Sequence, residues 1–185
     1  MRGTPTPQAL RIYLGDHYAG SSAGLALAKR LARTRADAPD GPVLRELERD
    51  IAQDREAMRE IMRSLHVKPT RGKSAVGVLA EKLGRLKPNG RVRRRAPLSD
   101  VLELETLFLG VEGKAACWRS LRTLVPTDSR LDADRLDELI KRAEGQVGRL
   151  EALRATAAAN ALGRSQSAAS GWSADARGRV LGGAG

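Results

Sequence analysis

Four long stretches of this chain repeat their apolar residues at spacings of four and three, and few folds are open to a chain patterned in this way. In the first stretch Leu10, Leu14, His17, Ser21, Gly24, Ala28 and Leu31 fall on one face of a helix. It should begin at Thr6-Pro7, a capping hydroxyl followed by proline at the first helical position. "APDGP" breaks the chain, Pro42 restarts it, and Leu44, Leu47, Ile51, Asp54, Met58, Ile61 and Leu65 carry the second helix. The third starts near Pro97. One stripe holds Val101, Leu104, Phe108, Val111, Ala115 and Trp118, a second holds Leu102, Glu105, Leu109, Glu112 and Ala116, and Pro126 marks the end. Asp132 is placed to N-cap the fourth, with Leu131 and Leu136 as a hydrophobic staple ahead of Leu139, Ala143, Gln146, Leu150, Leu153 and Ala157. An apolar stripe of this period is buried only against other helices, so the pattern predicts an all-α four-helix bundle. Aromatic residues make up 3% of the chain and β-branched runs are missing, which leaves strands little to be built from.

The connections choose the topology. Short loops join the first helix to the second and the third to the fourth, so each pair should form an antiparallel hairpin. About 31 residues separate Leu65 from Pro97. A helix of about 28 residues is about 42 Å long at 1.5 Å per residue, so a crossover over 66–96 can run the length of the bundle and give the order up, down, down, up. Within it "SAVGVLAEKLGRL" places Val76, Leu79, Leu83 and Leu86 on one side, the pattern of a short helix that Gly77 and Gly84 weaken. Residues 1–7 then form an N-terminal tail, 8–160 the bundle, and 161–185 a Gly/Ser/Ala-rich tail expected to be disordered. No apolar run reaches the roughly 18 residues of a membrane span, and "MRGTPTPQAL" lacks a signal peptide's apolar core, so no transmembrane segment and a cytoplasmic location are expected. Cys117, the single cysteine, excludes an internal disulfide and a multi-cysteine zinc site and reads as a small core residue.

Two hairpins joined by a long crossover are the ferritin-like arrangement. More narrowly, "LRIYLGDHYAG", "AEKLGRLKPNG" and "LELETLFLGVEGKAACWRSL" resemble a family of uncharacterised bacterial ferritin-like proteins over about residues 8 to 157. The resemblance implies the fold and brings no activity with it. With the helices aligned end to end, Ser21, Asp54, Glu112 and Gln146 fall within about one turn of the same level, and His17 lies about 6 Å away. Ferritin-like iron proteins hold their metals at that level, with a Glu from each of two helices and Glu-x-x-His from each of the other two. This chain does not retain the set: Asp54 is followed three residues later by Ala57 and Gln146 by Arg149. The only histidines are His17 and His66, and no Glu-x-x-His occurs. No metal cofactor is therefore expected.

Two readings of the polar layer stay open. His17 and Glu112 can pair inside the bundle and fix helix register, the favoured account. Alternatively His17, Asp54 and Glu112 form a degenerate site for a single metal or a small ligand. Gly20 and Gly24 on the first helix and Gly110 and Gly113 on the third fit either a close crossing of two backbones or room for a ligand. Each costs about 1 kcal/mol against alanine, and the close crossing is favoured.

No catalytic residues are legible. "RGKS" at 71–74 shares the end of a phosphate-binding loop but has Val67 where that motif needs glycine, and no strand precedes it. Glu103 and Glu105 lie on different helix faces and read as solvated charges. The charge is more informative. From Arg63 to Arg95 eleven basic residues, among them Lys82, Arg85, Lys87, Arg91, Arg93, Arg94 and Arg95, face the single acid Glu81 and carry +10 of the chain's +11. Such a stripe suits nucleic-acid phosphates or an anionic membrane surface, and equally a solvated face or a partner subunit in an oligomer. No aromatic residues interleave it to stack bases, which argues against sequence-specific reading. The sequence thus points to a non-catalytic ferritin-like binding or interaction protein with a polyanionic partner, the small-ligand or single-metal protein being the alternative.

Overall fold

Helix starts and stops follow the proline and aspartate signals closely, though at α1 not by the capping that the sequence suggested. A computed structural model describes residues 6–69 and 97–163, which form α1 (Gln8–Thr34), α2 (Gly41–Ser64), α3 (Pro97–Arg122) and α4 (Ala133–Leu162). No strand occurs among the described residues. Pro7 occupies the N-cap position of α1 rather than its first turn, and no side chain caps the helix. Thr6, expected as the cap, instead donates its hydroxyl proton to the Leu65 carbonyl, which ties the start of α1 to the end of α2. Asp40 precedes α2 without capping it, because its carboxylate is taken by Arg35 at 2.7 Å. Gly41 has no substitute there: a Cβ would lie 2.6 Å from the carbonyl oxygens of both Arg35 and Ala36.

α3 stops at Arg122, four residues before Pro126, since the residue preceding a proline is pushed out of helical conformation and the chain has already turned. Asp132 does cap α4, accepting from the Arg135 amide at 3.0 Å. Leu131 and Leu136, the expected staple, are both buried in one apolar cluster.

The ion pairs and hydrogen bonds fix the sense of packing. α1 runs antiparallel to α3, since Tyr13 near its start meets Ser120 at 3.3 Å and Arg30 near its end meets Glu103 at 2.7 Å. α2 runs antiparallel to α4, with Asp50 on Arg149 and Asp54 on Arg142. α3 and α4 form a hairpin, held on its flanks by Arg122 with Asp137 and Arg154 with Glu105. In the α1–α2 hairpin Arg55 reaches Ser22 and stacks 4.6 Å from the centre of the Tyr18 ring.

The core divides into two apolar clusters, one at each end of the bundle. The first gathers Leu14 of α1, Met58 and Met62 of α2, Trp118 and Leu121 of α3 and Leu136 and Leu139 of α4. The second gathers Leu27 and Leu31, Leu44 and Leu47, Leu104 and Leu107, and Leu150. Between them every helix passes through a less apolar stretch. On α3 the first stripe is buried as expected except that Leu107 takes the place of Phe108, which is half-buried, while the second stripe faces outward with Leu109 61% exposed. Glu103, read as solvated, is buried against Arg30. No helix among the described residues is long and apolar enough to cross a membrane. The short helix expected around Val76 to Leu86, and the tail beyond residue 163, lie outside the described residues.

Candidate functional site

The stretch between the two clusters is where α2 and α4 bring their one interior polar residue each. Asp54 is 1% exposed and Gln146 is fully buried, and Gln146 Nε2 donates to Asp54 Oδ2 at 2.8 Å. Buried polar groups at this depth need partners, and here they have them. Lys114 of α3 donates from Nζ to both Asp54 Oδ2 and Gln146 Oε1, and Arg142 Nε donates to Asp54 Oδ1 at 2.7 Å. Three helices are thus joined through one carboxylate. Burial pushes the Lys114 ammonium below its ordinary value; the Asp54 carboxylate opposes that shift, and the Arg142 charge adds to it.

Lys114 replaces the residue that the sequence suggested. Glu112 is two positions earlier on α3, about 200° around the helix, and this turns it outward: its side chain is 43% exposed and lies 4.0 Å from Arg119. The expected internal pair of His17 and Glu112 is therefore not formed. A signal for Lys114 was present, because Val111, Lys114 and Trp118 share one face at spacings of three and four. A lysine in that position reads as solvated unless its carboxylate partner on another helix is known.

His17 and Ser21 do lie at this level, on α1. His17 packs edge-on against Tyr13, with ring centres 4.6 Å apart, and burial lowers its basicity below the ordinary 6.5 while the nearby Asp16 charge works against that. Ser21 donates its hydroxyl proton back to the Tyr18 carbonyl at 2.6 Å. Neither reaches the Asp54 cluster by a hydrogen bond, yet His17, Ser21, Asp54 and Lys114 all line one cavity of about 480 Å³ between α1, α2 and α3.

Four helical glycines frame that cavity, with Gly110 at its exposed edge. A Cβ added at Gly20, Gly24, Gly110 or Gly113 would find no atom within 4 Å, so they do not mediate a close backbone crossing. All four line the cavity instead, and their missing side chains are the space. Leu27, Ile51, Met58, Leu107 and Val111 make much of the lining apolar, and Arg55 and Asp16 add a second cation and a second carboxylate. Trp118 also lines it, fully buried, with an indole N–H that has no acceptor among the described residues.

The candidate metal trio fails on the same geometry. Asp54 is held by Lys114, Arg142 and Gln146, Glu112 faces out, and no group of three or more His, Cys, Asp or Glu side chains among the described residues could hold an ion. Cys117 is buried and its thiol is pushed up to about 12, since the thiolate is poorly solvated there. The basic residues Lys82, Arg85, Lys87, Arg91, Arg93, Arg94 and Arg95 lie outside the described residues. Compared with known proteins, the chain matches no protein-family model, no curated protein and no solved structure. Chemically, the site offers a preformed apolar space with a few convergent polar groups, the usual form of a small-molecule pocket.

Proposed function

We propose that this chain is a non-catalytic, ferritin-like binding protein of the cytoplasm that holds a small ligand in the cavity between α1, α2 and α3. The observation that carries this reading is the cavity of about 480 Å³, on whose lining Gly20, Gly24, Gly110 and Gly113 leave open space where a side chain would be. Glycine in a helix interior costs about 1 kcal/mol against alanine, and here no backbone approach accounts for it. The antiparallel pairing of α1 with α2 and α3, and of α4 with α2 and α3, supports the up, down, down, up order of the ferritin-like bundle. The proposed kinship with a bacterial ferritin-like family rests on the sequence motifs alone. In this reading the di-iron ligands have gone and the space at their level has been kept.

The test uses N-phenyl-1-naphthylamine, an uncharged apolar dye that fluoresces when it leaves water. It should bind the full chain and should be excluded by Gly24→Leu and Gly110→Leu, substitutions for which there is room and which raise helix propensity. Dye binding that survives both substitutions, or none to the wild-type chain, would overturn the reading.

The charge distribution favours a second reading that does not compete with the first. Residues 63–95 carry +10 of the +11 net charge, which suits a polyanionic partner, a nucleic acid or an anionic membrane surface, bound without sequence preference. Replacing Arg91, Arg93, Arg94 and Arg95 by glutamine should flatten the log-log salt dependence of DNA binding by up to about four units. Absence of wild-type binding to DNA or anionic vesicles at about 50 mM salt, where screening is weak, removes this reading.

A further inference from the structure

The cavity has an electrostatic polarity that the apolar lining conceals. On the lining Lys114 and Arg55 are matched by Asp54 and Asp16, and Arg142, which holds Asp54 from outside the lining, leaves one positive charge in excess. An ammonium has three protons, and Lys114 spends two of them on Asp54 and Gln146. One turn further along α3, on the same face, the buried Trp118 indole N–H has no acceptor among the described residues. Both residues line the cavity, and both are left holding a donor. Buried donors without acceptors are uncommon in native proteins, and a ligand is one means of satisfying them.

We propose that the cavity takes a carboxylate-headed amphiphile, its carboxylate accepting from Lys114 and Trp118 and its apolar body lying along the glycine-lined faces of α1 and α3. The inference rests on the ligand-binding reading above and names the ligand's chemistry. A monoanion makes this group neutral, three cations against three carboxylates, whereas a cationic head would add a like charge in a place that water screens poorly. A neutral head would satisfy the donors but leave the excess charge. Leu27, Ile51, Leu107 and Val111 offer the body only dispersion and burial, so an alkyl or aryl-alkyl chain fits them and a sugar or nucleotide does not. Ser21 and Thr106, the hydroxyls on the lining, already spend their protons on their own helix.

Calorimetric titration of the full chain with decanoate and decyltrimethylammonium below their micellar concentrations, and with decanol below its solubility limit, tests this. Decanoate should bind at least about tenfold tighter than decanol, the difference expected of a hydrogen bond to a charged group, and the ammonium should bind most weakly. Lys114→Met should abolish the preference for decanoate and leave decanol binding intact. Trp118→Phe keeps an aromatic ring in the core but removes the N–H together with part of the indole, so it should lower decanoate affinity more than decanol affinity. It serves as the decisive variant should Lys114→Met not fold. Equal affinities for decanoate and decanol would overturn the carboxylate assignment while leaving a ligand-binding cavity. A preference that persists in both variants would do the same and shift attention to Arg55. Failure of all three amphiphiles together with N-phenyl-1-naphthylamine would remove the cavity reading itself.

Discussion

Removing the carboxylate of Asp54 should be the most damaging single change at the middle of the bundle. In Asp54→Ala, Lys114 keeps its buried position with only Gln146 Oε1 to accept from it, and Arg142 loses its carboxylate and keeps only Gln53 Oε1 at 3.4 Å. Breaking a buried ion pair by deleting one member costs about 3–5 kcal/mol, because the remaining charge stays desolvated without compensation. The two cations do not share that penalty equally. The Lys114 side chain is 15% exposed, whereas Arg142 is 28% exposed and can swing into water. The lower end, about 3 kcal/mol, is therefore expected, equivalent to a fall of about 10 °C in Tm for a domain of this size. Urea unfolding followed by circular dichroism at pH 7 gives the number directly, provided the m value is unchanged. The reasoning has an internal control: in Asp54→Ala with Lys114→Met no orphan ammonium is left, so the double variant should recover about 1–2 kcal/mol of the loss. A single variant within about 1 kcal/mol of the wild type, or a double variant no more stable than the single one, would show that the cluster is solvated and refute the argument.

Other expectations follow from the same geometry. Glu112→Ala should change stability by less than about 0.5 kcal/mol in the same urea experiment, because an exposed carboxylate 4.0 Å from Arg119 contributes little. Burial lowers the basicity of His17, so the unfolded chain binds its proton more readily. Stability should then be lost as the pH falls below about 6.5, and the urea midpoint of His17→Gln should drop less between pH 7.5 and 5.5 than that of the wild type. With its thiol pushed up to about 12 and fully buried, Cys117 should react with iodoacetamide at pH 8 only after denaturant unfolds the chain, as mass spectrometry would show.

Much of the fold was legible in the sequence because helices are local. The four-and-three spacing, Pro42 and Pro97, and the Asp132 cap each act within a turn or two of themselves. They placed four helices within a few residues of where they lie. The polar layer was legible in part for the same reason: Asp54 and Gln146 stand at interior positions of α2 and α4, and His17 and Ser21 stand at that level on α1. Glu112 and Lys114 were exchanged. The α3 sequence offers two stripes, and only the packing of α1 and α4 against it selects the one that faces inward.

The sequence by itself determined which segments are helical, which faces are apolar, and that one level of the bundle is polar, since all of these follow from backbone geometry and side-chain spacing along one helix. The tertiary structure alone decided what the four glycines are for. A glycine on a helix face permits close approach and empty space equally. Which one results depends on how far apart the helices are held, and that distance is set elsewhere, by Leu14, Trp118 and Leu121 at one end and by Leu27, Leu31 and Leu104 at the other. The pairing of Lys114 with Asp54 is likewise a contact across 60 residues of sequence. No local rule reaches that far, because it joins two helices that meet only after all four have packed.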